Sequence, residues 1–140
     1  MRISIESGKR DAADSLYRDL LSETPEDPAI LNNYAFSLAR MDRDLKKAMD
    51  LVDKALEQRK NAAYCDTKAW ILYRQGKYRR ALRWVNRALR YPDTGSEIYF
   101  HKGHILQVIG RDESAREAFR QALLLDPANR LAKQALEEMK

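Results

Sequence analysis

The chain has 140 residues, 34% of them charged, with five glycines, four prolines and a formal net charge of +5. That is length enough for one domain with a continuous core, and the composition lies well away from the disordered class. No run approaches the roughly 18 apolar residues of a membrane span, and the opening MRISIESGKRDAAD carries no apolar leader segment. Cys65 is the only cysteine, so disulfides within the chain are excluded and the compartment stays open; it reads as a small core residue.

Taken in chain order, residues 1–27 read as the end of one helix followed by a complete second helix over about 9–23, with Gly8 at the reversal. Asp27-Pro28 then reads as an N-cap and a first helical residue. From there helices are expected over 28–40, 44–58, 62–74, 78–91, 96–109 and 112–124. Gly76 and Gly110 stand where one helix reverses into the next, a place that favours a residue tolerant of positive φ. Pro92 and Pro127 mark later junctions, because proline cannot continue a helix interior. In the first pair Asp42 takes the place of the turn glycine, one residue is added near MDRDL and one is lost before Ala62. A last helix over 130–140 places Leu131, Ala135, Leu136 and Met139 on one stripe, leaving a polar outer face.

The same wording recurs along the chain. GKYRRALRWVNRALRYPD at 76–93 aligns with GRDESAREAFRQALLLDP at 110–127, and more loosely with GKRDAADSLYRDLLSETP at 8–25. Small residues are expected where paired helices cross: Ala35, Ala69 and Gly103 on the first helices, Ala48, Ala81 and Ala115 on the second. Leu38, Leu72 and Leu106, with Tyr17, Val52, Val85 and Phe119, fill the layer between units, and Ala55, Ala88 and Ala122 meet the following unit.

A 34-residue period with this wording resembles the tetratricopeptide repeat (TPR), a helix–turn–helix unit that stacks into a solenoid. The resemblance implies an all-α, right-handed solenoid of antiparallel helix pairs: a partial repeat at 1–27, full repeats at 28–61, 62–95 and 96–129, and a capping helix at 130–140. LNNYAFSLA at 31–39 followed by YCDTKAWILYRQGKY at 64–78 also looks like a bacterial subgroup found in larger multi-repeat proteins, often envelope-associated, and against the usual TPR pattern Cys65 and Lys68 replace apolar residues. Because residues 1–7 cover only half of a first helix, two expectations follow: the chain is cut from a longer array, or Met1 is native and something else covers the face; an uncovered apolar face around Leu16, Tyr17 and Leu20 would favour self-association.

Repeats of this family act through a surface, and the first helices line the concave groove. Carried onto this chain, the groove positions are Asn32, Asn33, Phe36 and Arg40; Asp66, Thr67, Trp70, Tyr73 and Arg74; and Glu97, Phe100, His101, His104 and Gln107. Aromatic anchors mixed with amide, imidazole and cationic groups suit a peptide or partner segment. The carboxylate clamp of chaperone-binding TPRs needs basic groove residues, but those positions carry Asn32, Phe36, Thr67, Glu97 and His101, so clamp-type recognition is not expected.

Glu97, His101 and His104 share a helical stripe. Glu97 and His104 are about 10.5 Å apart along the axis, too far for one metal ion to hold both. No phosphate loop, nucleophile elbow or carboxylate pair stands out. The expectation is a non-enzyme without metal or cofactor.

Between Asp66 and Asp93 there is no acidic residue but eight cations, leaving −3 for the rest of the chain. Arg79, Arg83 and Arg87 form an i, i+4, i+8 row, with Arg80 and Arg90 beside it. Like charges at this spacing weaken a helix. Two readings follow. In one, the face binds an acidic partner, anionic lipid or RNA. In the other, it is a solvated face paired with Asp50, Asp53, Glu113 and Glu117 of adjacent helices.

Overall fold

The computed structural model describes the backbone of residues 2–140 and the side chains from residue 11 onward. Those residues form α1 (Arg2–Glu23), α2 (Pro28–Arg40), α3 (Leu45–Gln58), α4 (Ala62–Arg74), α5 (Tyr78–Ala88), α6 (Ser96–Val108), α7 (Asp112–Leu125) and α8 (Arg130–Glu138), with no strand among them. They fall into two compact units, Met1–Lys60 and Asn61–Lys140.

Local chemistry accounts for most boundaries. The Asp27 carboxylate accepts from the Ala29 and Ile30 amides and Pro28 follows as first helical residue, so α2 starts where the sequence expects. Asn61 and Asn129 cap α4 and α8 in the same way, through the Tyr64 and Ala132 amides. Gly76 and Gly110 turn the chain at φ +79° and +82°, the left-handed region that costs glycine nothing. In the first pair Asp42 and Asp44 adopt φ 53° and 48° instead. Helix α5 ends at Ala88 rather than 91, because Pro92 disfavours the helical conformation at Tyr91. Arg90 therefore belongs to the turn.

In the unit Met1–Lys60, α1 runs unbroken through Gly8, where a reversal was expected. No positive φ occurs at Gly8, and no proline stands near it to stop the helix. Tyr17 stacks on Tyr34 of α2, ring centroids 5.0 Å apart. The residue inserted near MDRDL has a structural use: Arg43 reaches Asp14 at 3.4 Å and Asp11 at 3.8 Å, fastening the α2–α3 turn to α1. Leu16 and Leu20 remain exposed on α1.

In the unit Asn61–Lys140, α4 pairs with α5 and α6 with α7, and α8 packs on α7. The small residues sit at the crossings: Ala69, Ala81 and Ala115 are fully buried, as are Ala88 and Ala122. Leu72, Val85 and Phe119 fill the layer above them. Ser96 donates to the Ala122 carbonyl and accepts from the Asn129 amide, both at 2.7 Å, tying α6 to the ends of α7 and α8. Helix α8 buries Ala132 and Ala135 and adds Leu136 and Met139 to the Leu106–Phe119 cluster. Leu131, expected on that stripe, is 59% exposed, since the packed phase runs 132, 135, 136, 139. Leu124 and Leu125 of α7 are exposed as well.

Gly103 is required by contact rather than by φ. A Cβ there would lie within 2.7 Å of Phe119 Cζ and nearer still to Cδ1 and Cε1. The ring has no room to retreat, being fully buried beneath Phe100 and His104. Gly103→Ala should therefore cost about 1–3 kcal/mol and lower the melting temperature by about 2–4 °C per kcal/mol. Gly8→Ala meets no atom within 4 Å, and in an unbroken α1 it should stabilise by about 0.5–1 kcal/mol. Thermal melts of the two variants should move in opposite directions.

Candidate functional site

The expected groove residues divide between the two units, and each set has its own geometry. In Met1–Lys60, Asn33 and Arg40 are exposed and Phe36 is half-buried, with the Arg40 guanidinium 6.0 Å from the Phe36 ring centroid. Together with Tyr17, Ser37 and Met41 they line an open cavity of about 400 Å³. Asn32 does not face solvent as expected. It is 8% exposed, and its Oδ1 lacks a hydrogen-bond partner among the described residues. The α2 turn aims position 32 inward with Leu31 and Ala35 rather than outward with Asn33.

In Asn61–Lys140 the sequence reading expected a row of exposed donors and rings, and the structure assembles a layered platform. Trp70 and Tyr73 of α4 stack at 4.7 Å and 14°, although they are three residues apart, since i and i+3 share a helix face. Beyond Tyr73 lies Tyr78 at 5.7 Å, a residue the sequence reading did not include. His101 of α6 stacks on Trp70 at 4.3 Å, and His104 meets Trp70 edge-on at 6.3 Å and Phe100 at 4.6 Å. The exposed Arg74 holds its guanidinium 5.5 Å from the Trp70 ring, an attractive placement for a cation. Trp70, Tyr73, Phe100 and His104 stay half-exposed, which leaves a partner ring or aliphatic chain a surface to cover.

Two expected lining groups lie beneath this platform instead. Asp66 and His101 are 6% and 4% exposed. The His101 Nδ1–H donates to both carboxylate oxygens of Asp66, at 2.9 and 2.8 Å; a carboxylate only accepts, so the proton belongs on Nδ1. A buried carboxylate is costly unless paired, and this bond supplies the pairing while fixing the ring that supports Trp70. Glu97 approaches the other nitrogen at 3.7 Å. Thr67 is also buried and donates to its own helix at the Ala63 carbonyl, 3.0 Å away. Among the described residues no three His, Cys, Asp or Glu side chains converge as a metal site.

The two imidazoles titrate in opposite directions. Burial alone would push the His101 pKa down, but Asp66, by charge and hydrogen bond, and Glu97 outweigh it and the net shift is upward. Burial, then the charges of His101 and Arg74, pushes His104 down despite Glu138. A histidine raised in the folded state stabilises fully below its ordinary value of 6.5 and loses that contribution as pH rises through the raised value. A lowered one contributes above 6.5 and loses it as pH falls toward the lowered value. Melting temperature should therefore peak near neutral to slightly acid pH. Asp66→Asn should abolish the alkaline decline and His104→Gln the acid decline, read from thermal melts between pH 5 and 9.

The basic residues of α5 and of the turn after it form a separate surface. Arg79, Arg80, Arg83, Arg87 and Arg90 are exposed, and none is in an ion pair among the described residues. Glu113 and Glu117, expected as partners from α7, bond Arg116 and Arg120 of their own helix instead, because residues three apart on one helix are nearer neighbours. Trp84 is half-buried between Lys68, whose Nζ lies 4.4 Å from the ring centroid, and Arg87 at 4.5 Å. Lys68 thus lays its charge on an aromatic face.

Residues 96–129 match the family model of the tetratricopeptide repeat. No curated protein matches the chain in sequence. Solved structures do match in fold. YrrB, described as a TPR protein with an unusual peptide-binding site, superposes with a TM-score of 0.70 at 20% identity, over 88% of this chain and 63% of YrrB. The Arabidopsis OM64 TPR domain gives 0.72 at 20% identity, over 81% of this chain and 93% of that domain. The first TPR of Spaghetti (RPAP3), bound to the HSP90 peptide SRMEEVD, gives 0.71 at 18% identity, over 80% and 89%. Helix pairs of this period, punctuation and packing, with these likenesses, give the chain the all-α tetratricopeptide-repeat fold, with residues 96–129 matching the repeat in sequence.

Proposed function

We propose that the chain is a non-catalytic protein-interaction scaffold that binds a peptide or partner segment on the aromatic platform of α4 and α6. The observation that carries this reading is the Trp70–Tyr73 stack, with His101 stacked on Trp70 and both rings of the pair left half-exposed. Preorganised rings give up little conformational freedom on binding, so more of their contact area appears as affinity. Arg74 at the rim and His104 beside Trp70 supply polar recognition. Two proteins of the same fold, YrrB with its unusual peptide-binding site and the Spaghetti TPR bound to an HSP90 peptide, support the mode of action.

The ligand should differ from a clamp-bound acidic C-terminus. Two of the clamp positions here are buried and internally bonded, His101 to Asp66 and Thr67 to Ala63, and a third, Glu97, is acidic. An apolar or aromatic segment fits the rings better. The test is selection of peptides from a displayed random library on the wild-type chain, followed by calorimetry on variants. Trp70→Ala should weaken selected peptides by about 2 kcal/mol, roughly thirtyfold, with the helical circular-dichroism signal retained. Unchanged affinity in a folded Trp70→Ala variant would remove the platform from the binding site.

A further inference from the structure

A second recess opens on the other side of α6. At 100° per residue, Phe100, His101 and His104 share one side of that helix, whereas Tyr99, Lys102 and Leu106 lie about half a turn round. The latter three line a cavity of about 360 Å³ closed by Leu82 and Asn86 of α5 and by α7, where Ala118 adds apolar wall and Arg111 a cation. Lys102 is half-buried, and no carboxylate lies within ion-pair distance of it among the described residues. Burial lowers its pKa, with no compensating acid. The one acid that lines the cavity is already engaged: Glu117 is 3.7 Å from Arg120 through one oxygen and accepts from Gln121 through the other at 3.1 Å. On the α5 rim, Arg79 and Arg83 stand on the stripe next to Leu82 and Asn86, exposed and without ion pairs.

We propose that this recess receives a carboxylate side chain of an acidic peptide segment at Lys102, while Arg79 and Arg83 hold the segment's neighbouring acids. The walls choose among anions. Leu82, Leu106 and Ala118 suit the methylene stem of a glutamate, and Asn86 offers its amide beside them. Single-stranded RNA needs several aromatic faces on which successive bases stack, and Tyr99 is the one aromatic ring that lines the recess. A bilayer needs apolar side chains to insert, and α5 exposes no large one. The site is separate from the aromatic platform and does not depend on it.

The test uses fluorescence anisotropy with a fluorescein-labelled peptide alternating glutamate and leucine, oligouridine of matched charge, and vesicles containing phosphatidylserine, all at low salt. The wild-type chain should bind the peptide most tightly of the three. Lys102→Met keeps the stem and removes the charge, and it should weaken the peptide about tenfold, as should the Arg79→Gln/Arg83→Gln pair. Arg130→Gln removes one exposed charge from α8 and should leave binding within experimental error. Equal loss in Arg130→Gln and Lys102→Met would overturn the proposal in favour of diffuse charge attraction. So would tighter binding of oligouridine or vesicles, absence of peptide binding, or full peptide affinity in a folded Lys102→Met chain.

Discussion

The contact between Gly103 and Phe119 governs the geometry of the unit Asn61–Lys140. With no side chain at 103, α6 and α7 approach until the Phe119 ring lies against the α6 backbone. Phe100 and His104 then close over that ring at 5.8 Å each. This fixes the rotation of α6 about its axis, because a helix that presents 100, 103 and 104 to a neighbour has no freedom left to turn. Everything on the two remaining sides of α6 is placed by that choice. His101 comes under Trp70 of α4, and Tyr99, Lys102 and Leu106 turn toward α5 and α7.

The buried Asp66–His101 pair is the second constraint. A buried ion pair is poor evidence of stability, since desolvation offsets much of its Coulomb attraction. Its role here is orientation. Asp66 holds Nδ1 with two oxygens, so the imidazole plane is set, and Trp70 stacks on it at 27°. A hydrophobic ring at 101 would pack as well but would leave the Asp66 carboxylate unpaired. The Asp66 bond thus orients the ring that Trp70 stacks on, while Arg74 beside Trp70 is exposed.

The repeat period, the Asp27-Pro28 cap and the small-residue positions made most of the fold legible in sequence, because each is a local rule with a local signature: Asp27-Pro28, Gly76 and Gly110 act within a few residues of themselves. Gly8 shows the limit. The same residue type that reverses the chain at φ +79° in Gly76 sits inside a helix when nothing downstream draws the chain back. Position along the period also said which groove residues share a helix side, but not their depth. Asp66, Trp70 and Tyr73 stand close on one stripe; only the arrival of His101 from α6 makes Asp66 an interior residue and Trp70 a boundary one. Lys102 carried a weak signal, a lysine between Tyr99 and Leu106 on an otherwise apolar side, and its recess takes shape only once α5 and α7 flank it.

Two proposed surfaces on opposite sides of one helix raise the question of coupling. A ligand shifts another site only if it has different affinity for two arrangements of the element between them. Helix α6 has little scope for a second arrangement. Its middle is set by Gly103 against Phe119, and its start by Ser96, which bonds α7 at Ala122 and the α8 cap at Asn129. Rotation large enough to be felt on either side would break both. The aromatic platform and the Lys102 recess should then bind independently, so that one chain can hold two partners at once with affinities that neither changes. Repeat scaffolds gain from such independence: each partner is chosen by its own chemistry, apolar rings on one side and paired acids on the other.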